Sequence, residues 1–276
     1  MDEICRPLIF HEQGSRAHME DFYGVFSYGA YKMYCVADGH GGSNVSNLVI
    51  TNIGNLLAIL ANSCNDEQSL HEMIYKNIIK YDQELYDKDK HRFSLQGSTF
   101  SGCLYNPTSE KAILINVGDS RTVIFDLDGF SYQTVDHNPD HPTEKARIEA
   151  NNGIVTPRTK TDVPRVNHMY SVSRSFGDFS FKYIYTMDGG IYYSPTEGLL
   201  SAEPDLNFVD LKTKQNVYCI CATDGFWNYC ALEDLLLFLK NYKDKLNFET
   251  FFKELTRNIA AKPGSDNVCV VLTKLK

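Results

Sequence analysis

The sequence predicts an α+β layered sandwich, and three observations carry that prediction. Short β-like runs separated by turn residues follow one another directly between Gly97 and Thr134, the connection pattern of antiparallel strands. Longer segments with apolar residues at helical spacing precede and follow that block. No repeat, low-complexity tract or Pro/Gly/Ser-rich linker divides the 276 residues, so one domain over 1–276 is expected. At this length roughly three quarters of the unfolded chain's surface can be buried without disulfides or structural metal.

Tyr31 to Ala37 reads as a strand. Val45, Val49, Ile53, Leu56 and Leu60 then recur at helical spacing behind the capping residues Ser43 and Asn44. A second helix is expected from about Asp66 to Tyr86, with Leu70, Ile74, Ile78, Tyr81 and Leu85 on one face. Four strands come next: Ser98 to Tyr105, Lys111 to Val117, Arg121 to Phe125 and Phe130 to Thr134. Pro142 suits the first turn of a short helix that Asn152-Gly153 would end. A strand at Val217 to Ala222, helices near Leu232 to Lys240 and Phe248 to Ala261, and a strand at Asn267 to Leu272 complete the set.

Composition narrows function by exclusion. With 27 Lys and Arg against 35 Asp and Glu, the formal net charge is -8, and a general nucleic-acid or anionic-membrane binder needs a basic field. No apolar run approaches the roughly 20 residues of a membrane span; the densest are Leu235 to Leu239 and Val217 to Ala222. The N-terminus lacks a basic region followed by an apolar one, and Asp2 excludes N-myristoylation. An intracellular protein, cytoplasmic or nuclear, is expected. Cys5, Cys35, Cys64, Cys103, Cys219, Cys221, Cys230 and Cys269 lie in apolar segments without CxxC spacing, as reduced buried thiols do. Cys219 and Cys221 share a strand face, but no second Cys/His pair completes a zinc site.

The chemistry is concentrated in carboxylates at the ends of strand-like runs, each beside glycine or another turn former. Asp38 opens Asp38-Gly39-His40-Gly41-Gly42, Asp119 lies in Gly118-Asp119-Ser120-Arg121, Asp224 in Thr223-Asp224-Gly225, and Asp266 precedes the last strand. Any one Asp-Gly is an ordinary turn. Strand ends of one layered domain share edges, however, so these acids can converge, and oxygen-only ligation selects Mg²⁺ or Mn²⁺ over zinc. His40 is able to move protons near neutral pH. Arg16 precedes the adjacent acids Glu20 and Asp21 and offers a planar fork for phosphate oxygens.

Eight segments resemble, in the same order, the motif series of the protein phosphatase 2C family of metal-dependent Ser/Thr protein phosphatases. They are Arg16-xx-Met19-Glu20-Asp21, Asp38 to Gly42, Gly97-Ser98-Thr99, Asn116 to Arg121, Arg165-Val166-Asn167, Ser171 to Asp178, Thr223 to Trp227 and Asp266-Asn267. The resemblance implies a four-layer α-β-β-α sandwich of two antiparallel sheets flanked by helices, with two Mg²⁺ or Mn²⁺ ions at one end. It implies that Asp38 bridges both ions, that the Gly39 carbonyl completes one shell, and that Asp224 and Asp266 ligate the other. Glu20 and Asp21 would act largely through water, Asp119 would serve a weaker third site, Arg16 would clamp phosphate and His40 would be the general acid. Metal-activated water would attack the phosphoserine or phosphothreonine phosphorus in line, without a covalent phosphoenzyme. The substrates would be phosphoproteins and the chain a monomer. A catalytically inactive phosphatase-like binding module is the alternative, and a member of that kind would usually have lost a ligand or Arg16 or His40.

The sequence also departs from the family pattern. Asn228 stands where many members have an Asp that contributes to the third metal, which puts that third site in doubt. His168 replaces a common Gly, and Asn152-Gly153 stands where Gly-Gly is frequent. The aromatic-rich stretch 179–202 resembles the family's flap, with substrate selection and simple tyrosine packing as its two readings. Phe125-Asp126-Leu127-Asp128-Gly129 imitates the Asp-x-Asp signature of haloacid-dehalogenase-type phosphatases, but the flanking strands make it a hairpin turn.

Overall fold

The computed structural model describes residues 6–64, 66–159, 162–242 and 247–276. Along the chain come β1 (Leu8–Glu12), β2 (Phe22–Tyr28), β3 (Tyr31–Ala37), β4 (Gly39–His40), α1 (Asn44–Val49), a π-helical turn (Ile50–Gly54), α2 (Asn55–Ala61) and α3 (Glu67–Asp89). The central block is β5 (Gly97–Ser98), β6 (Phe100–Asn106), β7 (Lys111–Val117), β8 (Arg121–Phe125), β9 (Ser131–Gln133) and α4 (Pro142–Ala150). Then follow β10 (Phe176–Gly177), a 3₁₀ turn (Phe179–Phe181), β11 (Tyr183–Tyr185), β12 (Ile191–Tyr193) and β13 (Asp205–Asp210). The chain finishes with β14 (Tyr218–Ala222), α5 (Asp224–Trp227), α6 (Leu232–Tyr242), α7 (Phe248–Ala260) and β15 (Val268–Lys274).

Two five-stranded antiparallel sheets, β1-β15-β14-β8-β9 and β13-β7-β6-β3-β2, form the centre. The period-2 alternation of each strand divides its residues between two layers. Met33, Cys35 and Ala37 of β3 pack with α1 to α3, while Tyr34 and Val36 face the other sheet. Val123 and Phe125 of β8 pack toward α6 and α7, whereas Ile124 joins Cys219, Cys221, Cys269 and Val271 between the sheets. Three apolar layers separate four layers of backbone, as the resemblance implies. The seven described cysteines are free, and Cys219 and Cys221 share one face with sulfurs 3.9 Å apart; Cys5 lies outside the described residues. Asp126 Oδ1 accepts from the backbone N–H groups of Asp128, Gly129 and Phe130, so the Asp-x-Asp imitation is a hairpin turn between β8 and β9.

Several expectations need correction. The strand expected over Ser98 to Tyr105 breaks at Thr99 into β5 and β6. The first helix is interrupted by its π turn, whose extra residue delays the buried face by one position, so Leu57 and Ala61 are buried and Leu56 and Leu60 are only half-buried. That helical run, Asn44–Ala61, is long and apolar enough to pass for a span, contrary to the expectation that none approaches one. Its interspersed Asn, Ser and Thr disguise the absence of charge, and half of it is buried against the sheet. On α3 Leu70, Ile74, Ile78 and Leu85 are buried and Tyr81 packs half-buried against the same core, as expected, while Asp82 is an unexpected buried acid on that helix. Strands β1, β2 and β13 were not anticipated, because the first two alternate polar and apolar residues too irregularly and β13 carries acids at both ends.

Phe252 is fully buried on α7, ringed by Phe10, Phe226, Phe248 and Phe251. Phe252→Ala is expected to lower unfolding stability by about 3–5 kcal/mol in urea titration. A change under about 1 kcal/mol would show that this helix contributes little to the core.

Candidate active site

The edges of the sheets deliver the acids. Asp38 follows β3, Asp119 follows β7, Asp224 is the first residue of α5 directly after β14, and Asp266 lies two residues before β15. With Arg16, Glu20, Gly39 and His40 they line one cleft of about 400 Å³, whose far wall is Arg165, Met169 and Tyr170. Asp21 is buried beneath. All nine residues singled out from sequence are therefore gathered at one end of the sandwich.

Hydrogen bonds from residues given no role in the sequence hold this arrangement. Asn267 Oδ1 accepts from Glu20 N at 2.8 Å, and its Nδ2 donates to the carbonyls of Gln13 and His18, tying the Arg16–Glu20 loop to β15. Thr99, in the gap that splits β5 from β6, accepts from Asp38 N through Oγ1 and donates its own N–H to Asp38 O. A Cβ on Gly39 would stand 2.5 Å from both Glu20 O and Ser46 Oγ, so glycine lets these segments close. The sequence signal for Thr99 and Asn267 is their place inside the motifs Gly97-Ser98-Thr99 and Asp266-Asn267.

Burial raises the carboxyls of Asp21, Asp38, Asp119 and Asp224, and repulsion from neighbouring acids raises them further. Asp38 is held well above the carboxylate range by burial and by Asp21, Asp224, Asp119 and Asp266. Asp119 is raised by burial, Asp224 and Asp136, and Asp224 by burial and Asp266. Asp21 is pushed up to about 8 by burial, against the hydrogen bond with Thr223. Asp21 Oδ2 and Asp224 Oδ1 are buried without a hydrogen-bond partner among the described residues. Buried, crowded, unpartnered carboxylate oxygens are the donor set of a hard divalent cation.

The remaining groups surround that set. Arg16 contacts Asp266 Oδ2 at 2.6 Å. Asn228 donates to Asp224 Oδ2 at 3.2 Å. His40 Nε2 lies 2.6 Å from Asp178 Oδ2. Burial pulls His40 down, but the charge and hydrogen bond of Asp178, with Glu20, outweigh it and leave the imidazole raised.

The family model described as protein phosphatase 2C matches residues 11–268. The chain belongs to the protein phosphatase 2C family. Human protein phosphatase 1A is 28% identical over 94% of this chain and 68% of its own length. Among solved structures, a C. elegans sex determining protein superposes with a TM-score of 0.79 at 22% identity, covering all of this chain and 66% of that one. A Toxoplasma gondii serine-threonine phosphatase 2C gives 0.72 at 19% identity over 96% of this chain and 93% of that one. Two antiparallel sheets with flanking helices are thus the protein phosphatase 2C fold, and the chain is a phosphatase of that family. Members are metal-dependent, generally on Mg²⁺ or Mn²⁺. The all-oxygen set of this chain fits such ions. No three of the described His, Cys, Asp and Glu side chains close on one point, and magnesium commonly takes one or two carboxylates and completes its shell with water.

Proposed function

We propose that the chain hydrolyses phosphoserine and phosphothreonine in proteins, using two divalent ions held by Asp38, the Gly39 carbonyl, Asp224 and Asp266, with Glu20 and Asp21 acting through water. The supporting observation is the convergence of Glu20, Asp38, Asp119, Asp224 and Asp266 with Arg16 and His40 in one cleft, over the buried Asp21. When bound, the ions acidify water and screen the phosphoryl oxygens. Arg16 sits at the mouth, exposed, and its planar fork orients the incoming phosphate dianion. His40 donates a proton to the departing serine or threonine oxygen, a poor leaving group without it. None of the residues assigned here acts as a nucleophile, so no covalent phosphoenzyme forms. Asn228 weakens a third site at Asp119 by removing one negative charge. The protein works as a monomer inside the cell, where its free thiols stay reduced.

His40→Ala tests the reading. Turnover of a phosphothreonine peptide should fall roughly 10²-fold or more, while an aryl ester with a good leaving group should fall far less. Both substrates should require Mn²⁺ or Mg²⁺ and stop with EDTA. Equal losses on the two esters would remove His40 from the proton-donor role, and turnover that persists in EDTA would remove the metal.

A further inference from the structure

His40 and Asp178 are brought together by a third, three-stranded sheet, β10-β5-β4. β4 carries His40, β5 runs between, and β10 ends at Gly177; His40 pairs with Gly97, and Gly97 with Gly177. Asp178 then takes a left-handed conformation, φ 52°, rare for a residue with a side chain. That bend carries its carboxylate back over the middle strand. A Cβ on Gly97 would collide with both Asp178 Oδ2 and His40 Nε2, so glycine alone leaves room for the contact.

The corner is braced from behind. Asp178 is fully buried, and its Oδ2 accepts from Ser175 Oγ at 2.6 Å as well as facing His40. Asp82 of α3, also fully buried, accepts from Gly177 N at 2.8 Å, Lys182 Nζ at 2.7 Å and the Tyr193 hydroxyl at 2.5 Å. Lys182 Nζ also donates to the Ser175 carbonyl. The His40 ring meets Tyr170 edge-on at 5.5 Å, and Tyr170 packs on Phe181. With Nε2 engaged by Asp178, Nδ1 has no hydrogen-bond partner among the described residues.

We propose that Asp178 is the positioning residue for proton donation: by holding Nε2–H of His40 it leaves Nδ1–H for the departing ester oxygen. The inference rests on the proton-donor role given to His40. As the P–O ester bond breaks and the P–O bond from water forms, the Nδ1 proton passes to the serine or threonine oxygen. The proton lost by the water restores the ring, and Asp178 keeps its hydrogen bond throughout.

Steady-state kinetics with Mn²⁺ on a phosphothreonine peptide and on 4-nitrophenyl phosphate test this in Asp178→Asn, Ser175→Ala, His40→Ala and the double variant His40→Ala/Asp178→Asn. Asp178→Asn should lower peptide kcat roughly 10²-fold with KM unchanged, and the aryl ester only a few-fold. Ser175→Ala, which keeps the carboxylate but removes one of its donors, should show the same split at smaller size. In the His40→Ala background Asp178→Asn should add nothing, because a residue acting only through His40 has nothing left to act on. Equal losses on both esters, or losses that multiply in the double variant, would overturn the role of Asp178. A His40→Ala variant without the split would remove the proton-donor role and Asp178's with it; a split in His40→Ala that is missing in Asp178→Asn and Ser175→Ala would remove Asp178 alone.

Discussion

Asp38→Ala should lower kcat on a phosphothreonine peptide by at least about 10³-fold at saturating Mn²⁺, and Asp224→Ala should do nearly as much. The expected size follows from what is lost: charge stabilisation by a bound ion is worth several kcal/mol, and every 1.4 kcal/mol is tenfold in rate. Asp38 stands at the centre of the set, with Asp21, Asp224, Asp119 and Asp266 all raising its proton affinity. Its removal should spare substrates with good and poor leaving groups equally little, which separates it from His40. Circular dichroism should show both variants folded, because each removes a buried repelling charge. Activity within tenfold of the parent in either variant would refute the ligand assignment.

Chelated protein should become less stable as pH rises from about 5 to 8, the reverse of ordinary acid denaturation. Asp21 is raised from 3.8 to about 8, and Asp38, Asp119 and Asp224 are raised as well. Between the unfolded and folded pKa values the native chain therefore binds more protons than the unfolded one, so stability falls with increasing pH. The loss begins above the unfolded carboxylate pKa near 4 and continues through about 8. Mn²⁺ at 100 times its dissociation constant should return about 2.7 kcal/mol at pH 8 and release protons as it binds. Thermal unfolding in EDTA at stepped pH, repeated with Mn²⁺, measures both. A melting temperature that rises from pH 5 to 8 in EDTA would contradict the crowding of these acids.

Much of this was legible in the sequence because the informative residues are local. Lys111–Val117 and Arg121–Phe125 were bounded correctly, since continuous apolar runs closed by turn residues leave little choice. Asp38, Asp119, Asp224 and Asp266 announced themselves at strand ends beside turn formers. Other features depend on contacts far along the chain. Asp82 reads as one polar residue of a long helix until Lys182, 100 residues later, is seen against it. Asn267 gains its role only from the carbonyls of Gln13 and His18, some 250 residues away. The π turn is invisible to a pattern that assumes one helical period, and β1 is specified by its partner β15 more than by its own residues.

That last pairing bears on how the protein is made. β15 lies between β1 and β14, so the first sheet has a gap until the final described strand is inserted. Asp266 and Asn267 travel with that strand. During synthesis the earlier acids are therefore present while the cleft is still open on one side and the loop bearing Arg16 has no anchor. Pairing across more than 250 residues is slow to form because the loop-closure entropy comes before the contacts that offset it. A nascent chain interrupted before β15 is made would carry a long unpaired edge and an incomplete site, a species for chaperones and proteases to remove.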